Sequence, residues 1–307
     1  MGENMKEFQF DGYKGYPINL YVWDEVQNPV AVVQLVHGMV EHLGRYDDFA
    51  KFLNSKGYIV LGDDHRGHGK TAGIDNLGMV PEGDCYWDTI EDLKLINKYA
   101  HDTYGLPVVL FGHSYGSFLT QGYLQQASDT ISASVLCGSA FQDGMDIKMG
   151  RVVANIQHAL FGKDKRAQLI KKLSFDSYDK KFKPVVPFGW GNRDDSERIK
   201  YLEDPMCNYV CSVGFYKSFF NALKQICKKE NIDKIRKDIP LFIISGDEDP
   251  VGKNGKLVNK LYDKYKDAGI QNIKIKLYSG ARHEILNEIN KDEVYEDVWQ
   301  FINSCNL

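Results

Sequence analysis

The chain has 307 residues, 43% of them hydrophobic and 26% charged, with a formal net charge of −4. That length buries a sizeable core in one large domain or two ordinary ones, and the composition excludes a disordered, fibrous or disulfide-stapled chain. Basic runs such as Lys163-Asp164-Lys165-Arg166 are short and broken by acids, which leaves no electrostatic footprint for nucleic acid.

Met1 to Lys6 lead into a polar strand without the apolar centre of a signal peptide, and Lys6 stands where an N-acylation pattern needs Ser or Thr. No uninterrupted apolar stretch approaches membrane-spanning length, so the expectation is a soluble, cytoplasmic protein. Cysteines 85, 137, 207, 211, 227 and 305 are scattered without a Cys-x-x-Cys, as in a reduced chain. Cys207 and Cys211, four apart, could share a helix face; two small apolar side chains is the reading preferred over a redox or metal role.

In chain order, Glu7 to Asp11 and Tyr16 to Trp23 flank a Gly-Tyr-Lys-Gly turn and form a β-hairpin. Val30 to Val36 is a buried strand, Tyr46 to Lys56 a helix ended by Gly57, and Tyr58 to Leu61 a strand. Cys85 to Tyr104 is a long helix, Pro107 to Phe111 a strand, and Ser132 to Cys137 another. From Ala140 to Arg236 helical patterns follow one another without a convincing strand. The βα alternation resumes with a strand at Pro240 to Ile244, a helix from about Lys253 to Asp267, a strand at Ile273 to Tyr278 and a helix from Asp292 to Asn303. Continuous apolar strands alternating with helices make a mostly parallel sheet covered on both faces. The expected architecture is one α/β domain, residues 1–139 and 237–307, interrupted by a helical cap at 140–236.

The strand ending at Phe111 runs into Gly112-His113-Ser114-Tyr115-Gly116 and then a helix-compatible segment. Two glycines permit a tight strand-to-helix turn that holds Ser114 out at the sheet edge, where a serine can attack a carbonyl. The bland alternative is a βα turn in which Ser114 caps the helix. Acyl transfer also needs a base, a carboxylate to orient it and N–H donors for the oxyanion. After the cap, the strand at 241–244 ends in Asp247-Glu248-Asp249 and the strand at 275–278 leads to His283.

Strand, Gly-x-Ser-x-Gly, helix, then acid and histidine in that order resembles the α/β-hydrolase pattern. Its Gly-x-x-Asp spacing selects Asp249, with Asp247 as a turn residue and Glu248 as a solvated charge. His283 alone follows the last strand and is the expected base, against a surface histidine in a loop. His113 lies inside the elbow and His101 in a helix; His42 and His158 fall outside any strand-end motif. His65 and His68, in the turn Asp63 to Gly69, are read as knitting loops together in preference to holding a metal. The oxyanion donors in this pattern are the backbone N–H of Tyr115 and that of Met39, where Gly38 lets the chain turn.

Within that superfamily the chain resembles the monoacylglycerol lipase and lysophospholipase group. The matching stretches are His37-Gly38-Met39-Val40-Glu41-His42-Leu43-Gly44-Arg45-Tyr46, Asp64-His65-Arg66-Gly67-His68-Gly69, and Ala281-Arg282-His283-Glu284. Tyr201-x-x-Asp204-Pro205-x-Cys207 in the cap also matches. The resemblance implies a serine esterase of single-chain lipids with no metal or organic cofactor, working on a small-molecule ester; because such substrates reside in membranes or micelles, an apolar cap edge could rest reversibly on that surface. Alternatives on the same fold are a short-chain esterase, a thioesterase or a proline-type peptidase; a non-catalytic binding module is the reading from another class. Tyr115 and Ser117 replace the usual Met and Gly after the serine, so the mouth of the acyl pocket is expected to differ. Two cap stripes, Met149, Val152, Val153, Ile156, Leu160 and Tyr216, Phe219, Phe220, Leu223, Ile226, are read as core packed on the main domain in preference to acyl-chain walls or a membrane-facing patch.

Overall fold

The computed structural model describes residues 5–305 and 307; Met1 to Asn4, including Gly2 of the acylation pattern, lie outside the described residues. The strands are β1 (Lys6–Asp11), β2 (Pro17–Trp23), β3 (Ala31–Val36), β4 (Tyr58–Asp63), β5 (Val108–His113), β6 (Ala133–Cys137), β7 (Leu241–Gly246) and β8 (Ile273–Tyr278). They form one sheet in the order β1-β2-β4-β3-β5-β6-β7-β8, in which only the pairings of β2 are antiparallel. The helices of the alternating part are α1 (Asp47–Ser55), α2 (Gly69–Ala72), α3 (Cys85–Tyr104) and α4 (Tyr115–Ala127). Between β6 and β7 come α5 (Met145–Phe161), α6 (Gln168–Leu173), α7 (Phe175–Phe182), α8 (Asp195–Glu203), α9 (Val213–Ile226) and α10 (Lys229–Ile232). The chain then adds α11 (Lys256–Asp267) and α12 (Lys291–Asn303).

Both faces of the sheet are covered, which is why its central strands are apolar along their whole length. Along β3, Val32 and Val36 join the core shared with α3, α4, α9 and α11, whereas Ala31, Val33 and Leu35 face α1 and α12. Since β3 is flanked by β4 and β5, the strand order reverses there, and the loops leaving β3 and β5 open a crevice at their carboxyl ends. Register aligns the strand ends beneath that crevice: Val36 pairs with Gly112, and His113 with Cys137.

Two expectations need correction. Cys207 and Cys211 share no helix face, because the stretch between α8 and α9 that carries them is irregular. Of the α5 stripe only Val153 packs against the core; Met149, Val152, Ile156 and Leu160 are each more than half exposed. The α9 stripe is buried as expected, with Ile226 and Leu223 at 1% exposure. Helical period shows that a helix has an apolar face; it does not say which face has a partner.

Candidate active site

Ser114 sits between β5 and α4 with φ 51°, the left-handed region that a non-glycine residue occupies only when its surroundings impose it. The imposition comes from the glycines. A Cβ at Gly116 would collide with the Val36 and His37 carbonyls, and one at Gly112 with Thr120 and the Gly116 carbonyl. The elbow is therefore pressed directly against the end of β3.

His283 follows β8 and reaches Ser114 Oγ through Nε2 at 2.8 Å, while its Nδ1 lies 2.9 Å from Asp249 Oδ2. Asp249, fully buried after β7, also accepts from Ser245 Oγ at 3.0 Å and from the Val251 N–H at 2.8 Å. Burial alone would raise its pKa, but the His283 imidazole and these donors hold it below the usual carboxylate range. Burial likewise disfavours charge on His283, yet the Asp249 carboxylate lifts its pKa above the ordinary imidazole value. The rival acids are occupied elsewhere: Asp247 accepts the Gly280 N–H at 2.7 Å, and Glu248 faces Arg282 at 3.9 Å. The structure thus brings Ser114, Asp249 and His283 together and leaves Asp247 and Glu248 apart.

The loop after β3 is pinned at both ends of Gly38. Its N–H donates to Glu41 Oε1 at 2.6 Å, and its carbonyl lies 2.8 Å from His37 Nδ1. Burial, and then the neighbouring His65 and His68, push the His37 pKa well down, so the ring is neutral. Nε2 accepts the His65 N–H at 3.0 Å, hence Nδ1–H donates to Gly38. A trans peptide aims N–H opposite to its carbonyl, so the Met39 N–H points away from His37. Tyr115 opens α4 and its N–H has no carbonyl one turn back. Two amides are therefore available beside Ser114. His65 also bonds Asp63 at 2.9 Å and stacks on His37, which makes the 63–69 turn the support of this loop.

Sequence reasoning quoted Glu41, Arg45, Tyr46 and Glu284 within its motifs but gave them no task. Glu41 Oε1 accepts from Tyr46 OH at 2.8 Å, and Arg45 pairs with both Glu41 and Glu284. Burial opposes charge on Glu41, but Arg45 and His113 hold its pKa well below the usual range. The signal was the four-residue spacing of Glu41 and Arg45 and the adjacency of Glu284 to His283. Tyr115 needs a correction: its ring is 2% exposed and sits under α9, with centroids 5.1 Å from Phe215 and 5.2 Å from Phe219. It shapes the floor beneath α9 and does not line the pocket mouth.

Ser114 opens into a cavity of about 190 Å³ whose walls include Met39, Val40, Phe188, Trp190, Tyr201 and Tyr216. Its charged lining groups have partners: Arg45 bonds Glu284, and Asp179 accepts the N–H groups of Phe188 and Trp190 at 2.8 and 3.1 Å. The His283 and Glu284 N–H groups bond the Trp190 and Gly191 carbonyls, tying the inter-strand helices to the histidine loop.

The family described as "Serine aminopeptidase, S33" matches residues 27–290. The chain belongs to that family. Among individual relatives, it is 27% identical to a monoacylglycerol lipase of Mycolicibacterium smegmatis over 97% of both chains. It is 26% identical to the monoglyceride lipase of Homo sapiens, covering 92% of this chain and 84% of that one. The crystal structure of a thermostable carboxyl esterase from Bacillus coagulans, in complex with glycerol, superposes with a TM-score of 0.90 at 29% identity over 100% of both chains. The chain is thus a hydrolytic enzyme on the α/β-hydrolase fold.

Proposed function

We propose that this enzyme is a serine carboxylester hydrolase that cleaves single-chain lipid esters through an acyl-enzyme. The observation that carries the reading is the chain of contacts from Ser114 Oγ to His283 Nε2 at 2.8 Å and from His283 Nδ1 to Asp249 at 2.9 Å. His283 removes the Ser114 proton as Oγ attacks the ester carbonyl, and Asp249 stabilises the imidazolium. The Met39 and Tyr115 amides bind the oxyanion, each worth on the order of 10²–10³ in rate. The proton then passes to the leaving alcohol, and water activated by His283 releases the fatty acid.

Ester specificity is supported by the relatives named monoacylglycerol lipase and carboxyl esterase, and by the aromatic walls of the cavity. The family description favours a second reading, amide cleavage by an aminopeptidase. That chemistry calls for an unpaired carboxylate to hold a free amine. Glu41 and Glu284 are instead paired with Arg45, and Asp179 with main-chain N–H groups.

In this reading residues 140–236 are the cap that selects the acyl chain, and 1–139 with 237–307 the catalytic domain. No described helix is long and apolar enough to cross a membrane. The exposed apolar face of α5 suits reversible contact with a lipid surface from the aqueous side. A hydrolysis panel of monoacylglycerols, lysophospholipids, short-chain esters, acyl-thioesters and proline amides tests the assignment. A preference for long-chain monoacylglycerols or lysophospholipids is expected; preferred turnover of the amide would overturn it.

A further inference from the structure

His42 belongs to the loop that carries Met39, and Asp204 and Cys207 to the irregular stretch after α8. A His42 ring nitrogen, an Asp204 carboxylate oxygen and Cys207 Sγ lie within 4.8 Å of one another, the one such group of three among the described residues. His42 is 7% exposed and Cys207 6%, and solvent reaches the group through Asp204, whose side chain is 26% exposed. His42 Nε2 lies 2.8 Å from Asp204 Oδ2, while the buried Nδ1 has no partner.

We infer that His42, Asp204 and Cys207 form a binding site for one thiophilic divalent cation of the zinc and cadmium class, with solvent as the fourth ligand. Imidazole nitrogen, carboxylate oxygen and thiolate sulfur are together the donor set such ions prefer. Bond lengths of about 2.0–2.3 Å in a tetrahedron put ligand atoms roughly 3.3–3.8 Å apart. The His42 to Asp204 contact therefore opens by under about 1 Å, and sulfur closes by about as much. The charges acting on Cys207 include the carboxylates of Glu41 and Glu284 as well as the opposing guanidinium of Arg45.

The backbone is prepared as well. The Met206 N–H donates to Asp204 Oδ1 at 2.8 Å and the Cys207 N–H to the Asp204 carbonyl at 3.0 Å, which closes a tight turn between the two ligands. The Asn208 N–H bonds the Val40 carbonyl at 3.0 Å, so the two halves of the site already adjoin. Binding replaces the Cys207 thiol proton by the metal, and the proton leaves to solvent with no change of oxidation state. Because the ligand is the thiolate, binding competes with that proton and affinity rises with pH. A bound ion would rivet the Met39 loop to the stretch that follows Tyr201.

Cadmium is the probe, because a cadmium–thiolate bond adds an ultraviolet charge-transfer band that oxygen and nitrogen ligands alone do not produce. Titrated into the full chain, Cd²⁺ is expected to raise this band to saturation at one equivalent, and Zn²⁺ to compete it away. Cys207→Ser and Cys207→Ala should lose the band, with folding verified by circular dichroism, whereas Cys211→Ser and Cys227→Ser should keep it. Asp204→Asn should retain the band with affinity weakened roughly tenfold or more. Added Zn²⁺ should raise the thermal midpoint of the wild type but not of Cys207→Ala. Absence of the band in the wild type, or its survival in both Cys207 variants, would overturn the assignment.

Discussion

Arg45, in the loop after β3, donates to both carboxylate oxygens of Glu284, at 2.7 and 3.1 Å, and so ties the Met39 loop to the residue beside His283. The same guanidinium pairs with Glu41, and both carboxylate side chains are 4% exposed. Arg45→Met would leave two buried carboxylates without the guanidinium they share. Urea unfolding should show a loss of about 3–5 kcal/mol, the cost of breaking a buried pair from one side. A loss under about 1 kcal/mol, the level of a surface pair, would contradict this account.

Asp249 and Asp247 are two residues apart but differ in task. Asp249→Asn removes the acceptor of His283 Nδ1–H and should lower kcat by roughly 10⁴-fold, as loss of the orienting acid does in serine hydrolases. Asp247→Asn alters one turn hydrogen bond to Gly280 and should cost less than roughly tenfold. Steady-state kinetics of the two variants decides between them, and the reverse ranking would move the orienting role to Asp247.

The raised pKa of His283 sets the pH profile. In the proposed mechanism only the neutral imidazole takes the Ser114 proton, so kcat/KM should rise with pH along an acid limb centred above about 6.5, the ordinary imidazole value. Burial opposes the charged ring, and the Asp249 carboxylate more than offsets it. The residual activity of Asp249→Asn should accordingly show its limb displaced to lower pH. In stability terms the signs differ. The raised His283 contributes below about 6.5 and loses its contribution as pH rises through its folded pKa; the depressed Asp249 contributes above about 3.9 and loses its contribution as pH falls through its folded pKa. A wild-type limb at or below about 6.5 would contradict the coupling.

The exposed stripe on α5 predicts a split between substrates. Val152 and Ile156 are 53% and 54% exposed, so glutamate at either position leaves packing intact. Each would remove roughly 1.5–3 kcal/mol of apolar contact with a lipid surface, about tenfold or more. Turnover of long-chain monoacylglycerol in vesicles should fall by that factor in Ile156→Glu, while a water-soluble short-chain ester is hydrolysed at the wild-type rate. Equal losses on both substrates would remove the lipid surface from the account.

Local patterns were readable and distant partnerships were not. The helix Cys85–Tyr104 and the strand Ile273–Tyr278 follow from period and end signals within single segments. The order of serine, acid and histidine was likewise visible because each ends or follows a strand. Arg45 and Glu284, by contrast, are 239 residues apart in sequence, and His42 and Asp204 162 apart. Nothing in the chain text pairs them until the loop after β3 meets the loop after β8 and the stretch after α8. The α5 stripe shows the same limit from the other side: its apolar period is real, but only Val153 reaches the core while Met149, Val152, Ile156 and Leu160 stay exposed.

Whether Ser114 is the nucleophile is decided by comparing Ser114→Ala with the wild type in lipid-ester turnover and fluorophosphonate labelling. The wild type should take up one label, Ser114→Ala none, and turnover should fall by roughly 10⁴-fold or more with folding unchanged. Turnover in Ser114→Ala within about tenfold of the wild type would contradict the account.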